Sequence, residues 1–130
     1  MKILIVDDEP GILLMYSDKF KEHKHTILTD KNGDECLNIA TKAKPDLILL
    51  DIIMPKFNGL DVLKKLKSDK ELQCIPVILI TNLPEEMSGE KARQLGAADY
   101  LVKAEHDPTS ILEIVERFHD QHKQYFKSKD

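Results

Sequence analysis

The sequence predicts an α/β fold built on a five-stranded, doubly wound parallel sheet. Short apolar runs alternate with helical patterns along the chain, and four of these runs end directly at a reactive polar residue. Apolar runs of about four to eight residues between turn and helix signals are typical of strands buried on both faces, as in a parallel sheet. Alternating strands and helices indicate βα units with right-handed crossovers. We therefore expect (βα)5 topology in a single domain.

Proline and turn signals delimit the first two units. Pro10 suits the first position of a helix, where no backbone N–H is needed. The Asn32-Gly33 pair predicts a turn into the second helix. We expect strands at residues 2–6 and 25–29 and helices at residues 10–23 and 34–42.

Similar signals delimit the other three units. Pro45 and Pro76 precede the third and fourth strands, and Gly96 is a natural C-terminal cap for the helix before the fifth strand. The Asp107-Pro108 pair predicts the start of the last helix. We expect strands at residues 47–50, 77–80 and 100–102, and helices at residues 60–68 and 88–95 and from residue 108 onward.

A reactive side chain follows four of the five predicted strands. Asp7 and Asp8 follow the first, Asp51 the third, Thr81 the fourth and Lys103 the fifth. Taken singly, each would be an ordinary strand-end residue. Ligands of open parallel sheets bind outside the carboxyl ends of the strands, so we expect these side chains to meet in one small volume. The pattern predicts a cation and phosphate site.

The chemistry of crowded carboxylates favours a divalent metal ion. Such carboxylates repel one another, and one normally takes up a proton unless a cation is present. Mg²⁺, or alternatively Mn²⁺, binds carboxylates, waters and phosphate oxygens. We expect Asp8, Asp51 and the backbone carbonyl of Ile53 as direct ligands, with Asp7 acting through water. Asp51 is then the nucleophile toward phosphorus, and Lys103 supplies a compact positive charge for the phosphoryl group.

Composition excludes several other classes of protein. The chain has 130 residues, is 42% hydrophobic and carries a formal net charge of −4, which gives no general attraction to nucleic acid. Cys36 and Cys74 lack metal-ligand spacing and favour a reduced, cytoplasmic chain. No apolar run approaches the ~18 residues of a membrane span. We expect neither a nucleic-acid nor a membrane partner.

The strand-end motifs together resemble those of a known family. They are Val6-Asp7-Asp8-Glu9-Pro10, Leu49-Leu50-Asp51-Ile52-Ile53-Met54-Pro55, Ile75-Pro76-Val77-Ile78, Thr81 and the stretch from Gly96 to Lys103. In this order and at these spacings they resemble a bacterial two-component response-regulator receiver domain of the CheY-like type. The resemblance covers about residues 2–118 of a single domain at 1–130, with residues 119–130 as a helix extension or tail. It implies a flavodoxin-like sheet with strand order 2-1-3-4-5.

The resemblance implies a phosphoacceptor in a two-component phosphorelay, rather than an enzyme that turns over an external substrate. A sensor histidine kinase or phosphotransfer protein would donate the phosphoryl group to Asp51, with Mg²⁺ bound, and the receiver would assist its own phosphorylation and dephosphorylation. Thr81 and Tyr100 would then reposition as a switch. The face made by the fourth helix, fifth strand and fifth helix would change and contact a downstream protein.

The first helix is the expected docking site for the kinase. Four of its apolar residues are predicted to pack on the sheet: Ile12, Met15, Tyr16 and Phe20. Leu14 projects roughly opposite them, with Leu13 at the margin. Because receivers dock the kinase through this helix, the resemblance implies that Leu13 and Leu14 are partner contacts.

Two positions depart from the family pattern. Ala104 stands where the family commonly has proline after the lysine, so we expect a trans Lys103-Ala104 peptide and a reshaped loop. Asn82 is larger than the residue that usually follows the threonine and is expected to narrow access to the phosphoryl group.

Two other functions and two oligomeric states remain open at this point. A degenerate receiver would act as a constitutive interaction module. A phosphohydrolase with an aspartyl nucleophile would need a second acid two residues after Asp51, where this chain has Ile53. The apolar pattern of the last helix continues to Tyr125, so its far end at residues 119–127 extends outward, folds back or pairs with another subunit. The protein is accordingly a monomer or a phosphorylation-dependent homodimer.

Overall fold

Five strands and five helices alternate over residues 1–122, which are the residues that the computed structural model describes. The strands are β1 Lys2–Val6, β2 Thr26–Asp30, β3 Leu47–Leu50, β4 Val77–Thr81 and β5 Asp99–Val102. The helices are α1 Pro10–Glu22, α2 Cys36–Ala43, α3 Gly59–Ser68, α4 Glu85–Gln94 and α5 Pro108–Gln121. The predicted order of elements is confirmed, and none of these helices is long and apolar enough to cross a membrane.

All five strands form one parallel sheet in the order β2-β1-β3-β4-β5. The chain moves outward in one direction from β1 to β2 and then in the other direction from β3 to β5. This reversal creates a topological switch point between β1 and β3, outside whose carboxyl ends ligands bind in such sheets. Val6 pairs with Leu50 there, so the residues that follow these two strands lie side by side.

Alternating side chains of the sheet pack into two apolar cores. Leu4 and Val6 belong to the core covered by α2, α3 and α4. Ile3 and Ile5 belong to the core covered by α1 and α5. Every residue of β3 and β4 is buried. Since apolar helices cover both faces, polar chemistry is confined to the loops beyond the strand ends.

Helix α1 packs on the sheet through three of its four predicted residues, since Tyr16 and Phe20 are buried and Ile12 is partly buried against the same core. Its buried residues are Leu13, Tyr16, Ser17 and Phe20, whereas Met15 is 44% exposed. The prediction that Met15 packs on the sheet is therefore wrong. Leu13 is 8% exposed and packs mainly into the core, and its partner contact stays a prediction. Each residue advances a helix by roughly 100°, and the run of apolar residues at 12–16 left the rotation ambiguous. Leu14 is 63% exposed, as expected.

The predicted signals at two helix ends are present. Gly96 has a φ of 101°, the left-handed conformation that a glycine cap adopts easily after α4. The Asp107 side chain accepts a hydrogen bond from the Ser110 N–H and caps α5. The Lys103-Ala104 peptide is trans, as expected, and residues 103–105 form a short 3-10 turn. The part of the predicted C-terminal extension that includes Tyr125 lies outside the described residues.

Candidate functional site

Three predicted metal ligands meet at the carboxyl ends of β1 and β3. Asp7 and Asp8 follow β1, Asp51 follows β3, and each offers a carboxylate oxygen within 4.8 Å of the others. Asp7 is fully buried and Asp51 is 4% exposed, whereas Asp8 is only partly buried. The parallel pairing of β1 with β3 brings these acids together because it aligns the ends of the two strands.

Lys103 bridges the acids from the end of β5. Its Nζ lies 2.6 Å from Asp7 Oδ2, 2.9 Å from Asp51 Oδ2 and 3.5 Å from Glu9 Oε1. Burial alone would lower the pKa of Lys103, but the hydrogen bonds and charges of Asp7 and Asp51 raise it above its usual value. The lysine therefore carries its positive charge throughout the physiological pH range.

The negative charge of the site is incompletely compensated. Burial raises the pKa of Asp7, although Lys103 and the Glu9 N–H, which donates to Asp7 Oδ1 at 3.0 Å, both oppose this shift. Within residues 1–122, the buried Asp7 Oδ2 has an ion-pair contact with Lys103 but no well-aligned hydrogen bond. Three carboxylates, those of Asp7, Glu9 and Asp51, contact one ammonium group, and Asp8 places a fourth within 4.8 Å of Asp7 and Asp51. This excess of oxygen ligands and charge suits a hard divalent cation.

The two carboxylate oxygens of Asp51 have different surroundings. Oδ2 faces Lys103, and Oδ1 accepts a hydrogen bond from the Ile53 N–H at 3.3 Å. Behind Asp51, a Cβ at Gly59 would lie only 2.0 Å from the Asp51 carbonyl oxygen. Position 59 therefore requires glycine so that the start of α3 can approach the backbone of Asp51.

Thr81 and Tyr100 contact the same short loop after β4. The buried Thr81 hydroxyl accepts a hydrogen bond from the Leu83 N–H at 3.3 Å. Tyr100 is 6% exposed, and its hydroxyl donates to the Leu83 carbonyl at 2.9 Å and lies 3.2 Å from Ser88 Oγ. Both predicted switch residues therefore contact the backbone of Leu83, and both side chains are buried.

Sequence reasoning missed two residues of the site. Glu9 stood inside a quoted motif but was given no role, although its position just before α1 directs it toward Lys103. Gly59 directly precedes the helix predicted at residues 60–68 and was given no role in the site. The Asn58-Gly59 pair was a usable signal, since Asn58 caps α3 and a glycine after it permits a close backbone approach. Ile53, whose N–H contacts Asp51, has a side chain that is 58% exposed at the mouth of the site.

A family model described as the response regulator receiver domain matches residues 3–116. The chain belongs to the response-regulator receiver family. The receiver is 35% identical to PilH of Pseudomonas aeruginosa over 113 residues, which cover 87% of this chain and 93% of PilH. It is also 35% identical to the polar-differentiation response regulator DivK of Brucella anthropi over 114 residues, covering 88% and 89% of the two chains.

Solved structures agree with this assignment. The chemotaxis response regulator CheY4 of Vibrio cholerae superposes on the receiver with a TM-score of 0.82 at 28% identity, over 89% of this chain and 96% of CheY4. The BeF3-activated receiver domain of Klebsiella pneumoniae RstA gives a TM-score of 0.80 at 28% identity, over 92% and 97% of the two chains. Receivers are signalling modules with a phosphoacceptor role in two-component systems, and they bind Mg²⁺ at an acidic pocket. The acidic cluster of this receiver has the donor groups for such an ion.

Proposed function

We propose that this receiver accepts a phosphoryl group on Asp51 from the phosphohistidine of a sensor histidine kinase or phosphotransfer protein. The observation that carries this assignment is the position of Asp51, buried at the end of β3 with one oxygen on Lys103 and the other near the Ile53 amide. Asp7 is fully buried, while Asp8 is more exposed than Asp51. Asp7 makes the same two kinds of contact, but Asp51 follows the central strand β3, between the acids after β1 and Thr81 after β4, and we therefore assign the attack on phosphorus to Asp51.

The metal site in this proposal uses the acids at the ends of β1 and β3. Asp8, Asp51 and the Ile53 carbonyl would hold Mg²⁺ or Mn²⁺ directly, and Asp7 would do so through water. The bound ion would neutralise charge that develops on the phosphoryl oxygens. Asp7 Oδ2, which lacks an aligned hydrogen bond within residues 1–122, and the surplus of carboxylates over ammonium groups support this assignment.

The chain's own residues account for the transfer step. A carboxylate oxygen of Asp51 forms the new bond to phosphorus while the P–N bond to the donor imidazole breaks, and the electron pair of that bond stays on the imidazole. Lys103 transfers its ion pair from the free carboxylate to the new phosphoryl oxygens. The Thr81 hydroxyl, which accepts from Leu83 in this structure, rotates to donate to the phosphoryl group.

The output in this proposal passes through Leu83. When Thr81 leaves the Leu83 N–H, the loop that also accepts the Tyr100 hydroxyl is released, and Tyr100 repacks between β5 and α4. The α4-β5-α5 face then presents a different surface to a downstream protein or a second phosphorylated copy. Phosphorylation shifts this equilibrium because the phosphoryl group interacts better with the rotated threonine.

Intact-mass measurement after treatment with acetyl phosphate and Mg²⁺ tests the proposal. One added phosphoryl group is expected on the wild type and none on Asp51→Asn. Asp46→Asn, which changes an acid at the opposite end of the sheet, is the matched control and should label normally. An unlabelled wild type would support a constitutive interaction module, and continuous release of phosphate over many turnovers would support a hydrolase.

A further inference from the structure

A hydrogen bond joins the two loops that flank the lysine and threonine of the site. Asn82 Oδ1 accepts from the Ala104 N–H at 3.1 Å. Asn82 directly follows Thr81 at the end of β4, and Ala104 directly follows Lys103 beyond β5. β4 and β5 pair in register as far as Thr81 and Val102. The Asn82 side chain therefore continues the connection between the strands beyond the point where backbone pairing stops.

We propose that this contact is a latch in which Asn82 acts as a positioning residue that holds the Thr81 loop in its resting arrangement. The inference rests on the proposed role of Thr81. In the resting arrangement, the Thr81 hydroxyl accepts from Leu83, two residues along the same loop. Asn82 lies between them and is tied to the loop after β5. Movement of Thr81 toward a phosphoryl group on Asp51 also displaces Asn82 and weakens its hydrogen bond with the Ala104 N–H.

The latch needs a backbone donor at position 104 and a side-chain acceptor at position 82. Only a residue with a backbone N–H at position 104 can donate, so proline there removes the donor. Only a side-chain oxygen at position 82 can accept, so an apolar residue there removes the acceptor. Both residues are solvent-exposed, and neither belongs to the apolar cores. Their substitution therefore leaves the packing of the fold intact.

The latch sets the balance between the resting and the activated arrangement. An intramolecular hydrogen bond shifts an equilibrium by roughly two- to tenfold, and an exposed bond lies near the lower end. Its loss should favour activation about threefold. Binding of Mg²⁺ should not change, because the proposed ligands lie on the loops after β1 and β3.

Beryllofluoride, an analogue of the phosphoryl group, provides an equilibrium test with Mg²⁺ present. Asn82→Leu keeps the shape of the side chain without the acceptor, and Asn82→Ala removes both. If the hydrogen bond is the cause, both variants bind beryllofluoride about threefold more tightly than the wild type. An effect of side-chain size would instead separate the two variants, because leucine keeps the bulk of asparagine and alanine does not. A gain in Asn82→Ala but not in Asn82→Leu would overturn the latch.

A donor-side variant completes the cycle. Ala104→Pro should bind beryllofluoride about threefold more tightly, and adding Asn82→Ala to it should give no further gain, because the hydrogen bond is already lost. Full additivity of the two substitutions would contradict the proposal.

Hydrogen exchange of the Ala104 amide tests the contact without any phosphoryl analogue. The exchange rate should rise about threefold in Asn82→Leu and Asn82→Ala, and an unchanged rate in both would overturn the latch. A wild type that binds no beryllofluoride would instead refute the proposed role of Asp51 and Thr81. The failure of the latch and the failure of the proposed function are therefore distinguishable.

Discussion

At the amino end of the sheet charged groups have complementary partners, whereas at the carboxyl end acids outnumber the cation between them. Lys2 donates its backbone N–H to Asp46 Oδ2 at 2.7 Å and its ammonium group to the Ala43 carbonyl at 2.8 Å. His25 Nε2 lies 2.8 Å from Glu116 Oε2. These contacts tie the amino end of β1 to the segment that leads into β3, and tie the segment that leads into β2 to α5. At this end, the contacts of Lys2 and His25 use charge to stabilise the fold.

At the carboxyl end, three carboxylates contact Lys103 and Asp8 adds a fourth beside Asp7 and Asp51, and the buried Asp7 Oδ2 lacks an aligned hydrogen bond within the described part of the chain. An arrangement of this kind carries a stability cost in the resting protein that a cation can offset. The contrast indicates that the same fold uses charge for structure at one end and keeps it available for binding at the other.

The largest expected effect comes from removing the central cation. Lys103→Met should lower the free energy of unfolding in EDTA by about 3 kcal/mol, because it leaves two buried carboxylates without a counter-charge. Lys2→Met at the amino end is the matched control and should cost about 1 kcal/mol. Urea denaturation followed by circular dichroism measures both. Equal losses would remove the distinction between the two ends.

A second test restores the missing charge. Mg²⁺ at about one hundred times its Kd should raise the free energy of unfolding by about 2.7 kcal/mol, because the ion binds the folded protein. Asp8→Asn should lose most of this gain, whereas Asp46→Asn should retain it. An equal response in these two variants would mean that Mg²⁺ binds elsewhere.

Burial of Asp7 should make the free energy of unfolding in EDTA depend on pH. Burial raises the pKa of Asp7 above the ordinary aspartate value of 3.8, so the unfolded chain loses this proton at a lower pH than the folded protein does. The contribution of Asp7 to stability therefore falls as pH rises from about 3.8 through the higher folded-state pKa. In EDTA at neutral pH, Asp7→Asn should consequently be more stable than the wild type.

Urea titrations of both proteins across this pH range measure the difference. The advantage of Asp7→Asn should vanish below the pKa that Asp7 has in the unfolded chain, and it should shrink when Mg²⁺ is added. A wild type that is the more stable protein at neutral pH in EDTA would show that Lys103 already compensates Asp7 fully.

The smallest effect on stability is expected on the outer surface of α1. Leu14→Ser should change the free energy of unfolding by no more than about 0.5 kcal/mol, because this side chain is 63% exposed. It should nevertheless slow phosphotransfer from the cognate kinase while leaving labelling by acetyl phosphate unchanged. Met87→Ser on α4 is the control, because it also replaces an exposed apolar side chain by serine, and it should keep normal phosphotransfer. Equal transfer rates in both variants would exclude Leu14 as a kinase contact.

The meeting of Asp7, Asp51 and Lys103 was predictable from sequence because parallel strands bring their carboxyl ends to one edge. That rule extends only to residues directly after a strand. Glu9 lies three residues beyond β1, and its contact with Lys103 depends on how α1 starts. The apolar periodicity of strands (two residues) or of helices (3.6 residues) carries no information about such a contact.

Two other features could not be predicted from the sequence: the side of α1 that packs on the sheet, and the contact between the loops after β4 and β5. Residues 12–16 are apolar on several sides of the helix, so periodicity alone did not show that Leu13, rather than Met15, packs on the sheet. Asn82 and Ala104 were recognised as separate departures from the family pattern. Their hydrogen bond joins loops that are 22 residues apart in sequence, and only the pairing of β4 with β5 reveals it.

The most direct test of the account is to locate the phosphoryl group on the chain. Borohydride reduces an aspartyl phosphate to homoserine, which tandem mass spectrometry of the peptides can place. After treatment with acetyl phosphate and Mg²⁺, we predict homoserine at position 51 and unmodified residues at positions 7 and 8. Reduction at either of those positions instead, with residue 51 intact, would contradict the assignment of Asp51 as the phosphoacceptor.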